Sequence, residues 1–145
     1  MEVHQVPGGP VLVVDCFNAI PASADAAVRS LAALPGERKL ALLGLMAELG
    51  DQSASEHRRI ALVAQELGID VVGYETSLYG EAYVTGVDEA VALLRTMGPG
   101  DAALVKGSRV VRLEDVVHAY APTLRDGTYR RRIENHIRAG NAMLP

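Results

Sequence analysis

The stretch "VLVVDCFNAIP", Val11–Pro21, indicates the fold because a run of apolar residues stops abruptly at a polar turn. Its first four residues are apolar and mostly β-branched, which is typical of a strand covered on both faces. Such strands occur in parallel sheets, where the loops leaving the carboxyl ends of the strands form the ligand-binding edge. We therefore expect Asp15 and Asn18 to lie at that edge.

Outward from this stretch, short apolar runs alternate with helical patterns. Further strands are predicted at "KLALLG", "DVVGY", "AYVT" and "AALVKGS". Helices are predicted at about residues 23–34, 53–67, 88–97 and 113–120. Ser53 and Glu56 match a capping box at the start of the second helix, and Gly68 matches its left-handed stop. This alternation predicts an α/β fold: a Rossmann-like, mainly parallel sheet flanked by helices on both faces.

Length and charge narrow the class of protein. The chain has 145 residues, of which 49% are hydrophobic and 22% charged, which suits one compact core. A net charge of -4 and a pI of about 5.5 leave no broad cationic face, so neither nucleic acid nor a membrane is an expected partner. No apolar run approaches the roughly 20 residues of a membrane helix. Cys16, the single cysteine, cannot form an internal disulfide, and we expect a soluble intracellular protein.

Several common catalytic motifs are absent from the sequence. It contains no G-x-x-x-x-G-K-[ST], the backbone cradle for nucleotide phosphates, and no G-x-G-x-x-G after a strand. The four histidines are scattered and form no H-E-x-x-H zinc motif, so no metal site is expected. These absences disfavour a self-sufficient P-loop enzyme, a dehydrogenase and a metallohydrolase.

Four segments follow predicted strand ends or open the next helix: "DCFNAIP" at 15–21, "GLMAELG" at 44–50, "SEHRR" at 55–59 and "LVKGSR" at 104–109. Together they resemble the carboxy-terminal domain of the Mur ligase family, whose pattern reads D-x-Y-N-A-N-P, G-D-M-x-E-L-G, a helix start with E-x-H or E-L-H, and L-V-K-G-S-R. The resemblance is to the branch that adds D-alanyl-D-alanine to UDP-N-acetylmuramoyl-tripeptide. It makes residues 1–121 the acceptor domain and leaves residues 122–145 as a tail with one helical pattern near 129–138.

The resemblance implies one part of a cytoplasmic, ATP-dependent peptidoglycan-precursor ligase. In that family ATP phosphorylates the tripeptide carboxylate, and the amine of D-alanyl-D-alanine attacks the acyl phosphate. The central domain carries the P-loop and the magnesium ligands, and none of these is present in this sequence. The carboxy-terminal domain closes on ATP and positions the dipeptide, so we expect no catalysis by this chain alone.

The resemblance also assigns residues to the nucleotide. Asp15 would accept hydrogen bonds from the ATP ribose, and Phe17, where the family has tyrosine, would pack beside the nucleotide. Asn18 matches the first asparagine of the pattern and would reach the phosphates or the incoming amine. Asn18 and Lys106 are thus the candidate catalytic residues.

The dipeptide would be bound by the K-G-S-R segment and the start of the second helix. Lys106 and Arg109 would supply positive charge to a carboxylate, and Ser108 a short donor. His57 falls on the inward stripe of its helix near the ligand edge, which makes it a further candidate for substrate binding.

Each of these residues also has a structural interpretation. Asp15 and Asn18 can cap the loop and the amides of the next helix. His57 can be a hydrogen-bonded core histidine, and Lys106 can pair with a carboxylate such as Glu48 or Glu114.

Two positions depart from the family pattern. Ile20 replaces the second asparagine of the first segment, and Leu45 replaces the aspartate after Gly44. Both changes remove a polar group from the predicted ligand edge. They keep open a second hypothesis, a Rossmann-like binding or regulatory protein without ligase activity.

Overall fold

The computed structural model describes residues 1–125. This part of the chain contains six strands: β1 (Glu2–Gln5), β2 (Val11–Asp15), β3 (Lys39–Leu43), β4 (Asp70–Tyr74), β5 (Tyr83–Val84) and β6 (Ala102–Lys106). They form one sheet in the order β1-β2-β6-β3-β4-β5. All neighbours run parallel except β1, which is antiparallel to β2. The predicted mainly parallel α/β sheet is confirmed.

Four α-helices cover the sheet in the same part of the chain: α1 (Pro21–Ala33), α2 (Ser53–Glu66), α3 (Gly86–Leu94) and α4 (Glu114–Tyr120). Successive side chains of a strand point to opposite faces, so each central strand supplies both layers of the core. Val13 and Leu104 pack with α1 and α2, whereas Val14 and Val105 pack with α3 and α4. The buried face of α1 consists of Ala24, Ala27, Val28 and Leu31.

β1 is missing from the sequence prediction because its polarity is inverted. Val3 is 55% exposed, while Glu2 and His4 on the opposite side are half-buried and hydrogen-bonded to each other. A search for alternating apolar residues on an inner face cannot detect such a strand.

The predicted capping box at α2 is wrong. A 3₁₀ turn, Gly50–Gln52, leads directly into the helix, so Gln52 takes the N-cap position in a helical conformation. Ser53 is instead the first helical residue, and Glu56 pairs with Arg59 on the helix surface. The stop at Gly68 is confirmed by its positive φ of 78°. The helical pattern predicted near 129–138 lies outside the described residues.

Candidate functional site

The carboxyl ends of β2, β6 and β3 lie side by side and form one rim. Their register pairs Asp15 with Lys106 and Leu43 with Lys106, so the three strands end at the same level. The loops that follow therefore start from neighbouring points on the rim. The two polar side chains at the strand ends, Asp15 and Lys106, come from segments far apart in sequence.

Lys106 holds the first loop in place. Its ammonium donates hydrogen bonds to Asp15 Oδ2 at 2.7 Å and to the backbone carbonyl of Asn18 at 2.7 Å. Both charged side chains are buried, with Lys106 1% and Asp15 4% exposed. The carboxylate that pairs with Lys106 is thus Asp15 rather than Glu48 or Glu114, and the pair bridges the loops after β2 and β6.

Burial and the neighbouring Lys106 have opposite effects on the pKa of Asp15. Burial raises the pKa of the Asp15 carboxyl above 3.8, because a charged carboxylate loses its hydration in the interior. The nearby Lys106 ammonium opposes that rise by its charge and its hydrogen bond. The lysine is therefore the group that stabilises an ionised Asp15 at this depth.

The loops after β3 and β6 touch through their backbones. Gly44 N–H donates to the Lys106 carbonyl at 2.8 Å, and Ser108 N–H donates to the Leu45 carbonyl at 3.0 Å. A Cβ on Gly107 would come within 3.1 Å of the Gly44 Cα and 2.7 Å of Leu113 Cδ1. A side chain at position 107 would crowd both neighbours, so glycine is favoured where the two loops cross.

The groups that remain for a ligand lie on the loops after β6 and β2. Ser108 is 7% exposed, and its Oγ has no hydrogen-bond partner among the described residues. Arg109 follows at an exposed position, while Phe17 and Asn18 are half-buried. A buried hydroxyl beside an exposed guanidinium suits an anionic group such as a carboxylate or a phosphate.

His57 lies near the start of α2. It is fully buried, and its two ring nitrogens are both engaged by the backbone: Nε2 accepts from Met46 N–H at 2.8 Å and Nδ1 lies 2.6 Å from the Ser53 carbonyl. The ring also meets Tyr79 edge-on, with centroids 4.9 Å apart. The structure therefore brings Asp15, Asn18 and Lys106 together, whereas the hydrogen bonds of His57 are to Met46 and Ser53.

Tyr79 has no role in the predictions made from sequence. Its hydroxyl donates to the Gly44 carbonyl at 2.7 Å, and the residue is 5% exposed. Tyr79 follows β4 in a segment without regular structure, so neither periodicity nor a motif identifies it. Its importance depends on a contact with Gly44 that only the folded chain creates.

The two departures from the family pattern fall at the rim. Ile20 is the N-cap residue of α1 and is 40% exposed. Leu45 is half-buried in the loop that contacts Ser108. An apolar side chain thus stands at each of these positions.

Within residues 1–125, three non-glycine residues adopt left-handed backbone angles, and each lies in a loop that follows a parallel strand. They are Glu48 with φ 63°, Glu75 with φ 57° and Arg112 with φ 58°. Such angles cost an L-residue roughly 1–2 kcal/mol, and they concentrate where a loop must hold a special shape.

Glu48→Gly is expected to raise the free energy of unfolding by about 0.5–1 kcal/mol, because glycine relieves the left-handed strain but adds entropy to the unfolded chain. Urea unfolding of the purified chain measures this gain. Gly98→Ala is the control for the unfolded-chain entropy alone. Gly98 has no positive φ, and a methyl group added there would meet no atom within 4 Å, so this substitution changes the entropy without any backbone strain. A loss of stability in Glu48→Gly would contradict the assignment of strain to this residue.

A parallel α/β sheet with polar groups gathered at the carboxyl ends of its central strands defines a Rossmann-like ligand-binding domain. The family model described as "Mur ligase, glutamate ligase domain" matches residues 1–109. The chain belongs to the Mur ligase family.

Individual relatives share this domain. The UDP-N-acetylmuramoyl-tripeptide--D-alanyl-D-alanine ligase of Synechocystis sp. is 32% identical over 120 residues, covering 74% of this chain and 26% of the relative. That of Escherichia coli is 35% identical over 126 residues, covering 79% and 28%. The MurF ligase from Thermotoga maritima in complex with ADP has a TM-score of 0.72 at 26% identity, over 85% of this chain and 30% of that one. The chain therefore spans less than a third of these proteins.

Within residues 1–125, no helix is long and apolar enough to cross a membrane. The same residues contain no group of three or more His, Cys, Asp or Glu side chains placed to hold a metal ion.

Proposed function

We propose that this chain is the acceptor domain of a UDP-N-acetylmuramoyl-tripeptide:D-alanyl-D-alanine ligase. In this role residues 1–121 close on ATP and position D-alanyl-D-alanine for attack on the acyl phosphate of the tripeptide. The observation that carries the proposal is the junction of Asp15, Asn18 and Lys106 at one rim, formed by the same segments that match the family pattern. The proposal concerns residues 1–121.

The donors at the rim fit the anionic parts of both ligands. Ser108 offers a buried hydroxyl with no partner among the described residues, and Arg109 offers an exposed guanidinium. Lys106 uses two N–H groups for Asp15 and Asn18, which leaves a third N–H group for a ligand. Because Lys106 is 1% exposed, that ligand would have to enter between the two loops to reach the ammonium. A carboxylate or phosphate at this rim would accept hydrogen bonds from Ser108 and Lys106 and would neutralise the charge of Arg109.

The nucleotide side of the proposal rests on the first loop. Phe17 and Asn18 are half-buried, so an aromatic surface and an amide are accessible beside the Lys106–Asp15 pair. Asp15 already accepts from Lys106 through Oδ2, so a ribose contact would have to use its other oxygen. ATP, when bound, supplies the phosphoryl group that activates the tripeptide carboxylate; the role of this chain is to orient and enclose.

The remaining partners belong to the rest of a ligase. We propose that a P-loop domain supplies the phosphate cradle and magnesium ligands, that UDP-N-acetylmuramoyl-tripeptide is the acyl donor, and that the reaction takes place in the cytoplasm. This chain contributes positioning rather than bond-making, so it is not a catalyst by itself. Magnesium-dependent ATP turnover by the purified 145 residues would contradict that division of labour.

Calorimetric titration with ADP and, separately, with D-alanyl-D-alanine tests the proposal. We expect weak, saturable binding of the dipeptide, because the activated partner domain is not there to complete the site. Arg109→Ala should weaken it about 10- to 100-fold, since a charge-assisted hydrogen bond contributes about 1.5–3 kcal/mol when intact. Arg95→Ala is the matched control, because Arg95 is an exposed arginine at the end of α3.

The second candidate is a binding or regulatory protein that has the Rossmann-like fold but no role in a ligase. The apolar side chains of Ile20 and Leu45 at the rim favour it. If neither ligand gives a binding signal in the same titration, this second candidate is favoured. Recovery of binding in Ile20→Asn would instead show that the missing amide had weakened an existing site.

A further inference from the structure

The segment Gly44–Met46 is held at three successive residues by three different parts of the fold. Tyr79 donates its hydroxyl to the Gly44 carbonyl, Ser108 donates its backbone N–H to the Leu45 carbonyl, and His57 accepts from Met46 N–H. The distances are 2.7, 3.0 and 2.8 Å. Because the middle contact is to Ser108, the position of this segment sets the position of the loop that carries the unpartnered Ser108 hydroxyl.

The surroundings of His57 define its protonation. The Ser53 carbonyl can only accept, so Nδ1 must carry the proton that fills the 2.6 Å contact. The Met46 N–H can only donate, so Nε2 must present a lone pair. The hydrogen bonds are therefore satisfied by the neutral Nδ1–H tautomer and not by the imidazolium, which has no acceptor for Met46.

We propose that His57 and Tyr79 are a positioning pair that fixes Gly44–Met46, and through it the Ser108 loop, at the ligand rim. Their rings meet edge-on, so each ring also limits the movement of the other. Both residues act through the backbone and neither contacts a ligand. The effect on ligand binding rests on the proposed function, whereas the fixing of the segment does not.

The pair makes the segment sensitive to acid. Burial lowers the pKa of His57 below 6.5, with the Ser53 hydrogen bond opposing the change. The unfolded chain therefore takes up this proton first, and the stabilisation by His57 is complete above pH 6.5 and is lost as the pH falls. Burial raises the pKa of Tyr79, which keeps the facing ring neutral. Of the charged groups nearby in sequence, Glu56 pairs with Arg59, and Arg58 and Glu48 are exposed.

Nitrogen NMR of the full ¹⁵N-labelled chain tests the pair directly. At neutral pH we expect Nδ1 of His57 to be protonated and Nε2 to be unprotonated. In His57→Phe, which keeps a ring but has no acceptor, Met46 amide exchange should accelerate about tenfold, the effect of losing one hydrogen bond. His57→Gln returns an acceptor at a similar reach and should restore most of the protection. Tyr79→Phe should shift the amide resonances of residues 44–46.

Leu31→Val is the control for general destabilisation, because Leu31 is fully buried at the far end of α1. It should leave the amide exchange of Met46, relative to the most protected amides, unchanged. A protonated Nε2, unchanged Met46 exchange in His57→Phe, or an equal effect of Leu31→Val would overturn the pair. If the wild-type chain binds neither ADP nor D-alanyl-D-alanine, the proposed function is wrong. The tautomer of His57 and the exchange rate of the Met46 amide still show whether His57 and Tyr79 fix the segment. If the chain does bind, His57→Phe should weaken dipeptide binding and His57→Gln should restore it.

Discussion

Lys106→Met is expected to lower the free energy of unfolding by about 3–5 kcal/mol, the loss typical of removing one partner of a buried ion pair. Lys106 and Asp15 are 1% and 4% exposed, so water cannot replace the missing ammonium. The substitution also removes the donor to the Asn18 carbonyl, which frees the loop after β2. Urea unfolding at neutral pH measures the loss.

The pH dependence of this loss identifies its cause. Without the ammonium, the pKa of Asp15 should rise further above 3.8, because only Lys106 and the amino terminus oppose the effect of its burial. A carboxyl with a raised folded pKa loses stability as the pH rises from 3.8 to its folded value, so the defect should shrink as the pH falls back toward 3.8. Asp15→Asn combined with Lys106→Met should likewise recover part of the stability at neutral pH.

Arg29→Met provides the comparison with a surface ion pair. Arg29 pairs with Asp25 on α1, but its side chain is 58% exposed, so this substitution should cost less than about 1 kcal/mol. Equal losses for Arg29→Met and Lys106→Met would mean that the buried pair does not hold the rim.

Gly107→Ala is the second large expected effect, with a loss of about 1–3 kcal/mol from overpacking. The new methyl group would lie 2.7 Å from Leu113 Cδ1 and 3.1 Å from the Gly44 Cα. The side chain of Leu113 can rotate, but the Gly44 backbone can move only if the loops after β3 and β6 separate. We therefore expect ligand binding at the rim to weaken together with stability.

Gly98→Ala separates the clash from the general effect of replacing glycine. Gly98 has open space around the position of its Cβ and no positive φ, so alanine there should raise stability by about 0.4–1 kcal/mol rather than lower it. Thermal unfolding and dipeptide titration of the two variants supply the comparison. An unchanged Gly107→Ala protein would show that the two loops do not cross closely in solution.

The parallel sheet could be predicted because its central strands are apolar on both faces. Strand β6 is buried along its whole length, and the runs before Asp15 and Gly44 have the same character. A run of apolar residues is a local property of the chain, so it can be recognised in the amino-acid sequence. Strand β1 has no such property, since it places Val3 outward and Glu2 and His4 inward.

The composition of the candidate site was predictable to the extent that it depends on strand ends. Asp15 and Lys106 were each placed at the rim from sequence, but their contact depends on the register between β2 and β6. Periodicity carries no information on register between segments about 90 positions apart, which is why Glu48 and Glu114 were the expected partners. The ion pair and the Tyr79 contact with Gly44 both belong to this class of long-range contacts.

The reversed direction of β1 determines how a longer polypeptide would meet this domain. Glu2 pairs with Val14, one residue before Asp15, so the backbone at Met1 leaves the sheet beside the rim. A polypeptide joined ahead of Met1 would start beside the rim and not at the opposite edge of the sheet. A fused domain would then begin next to the proposed ligand site, and a bulky affinity tag in the same place would obstruct that site.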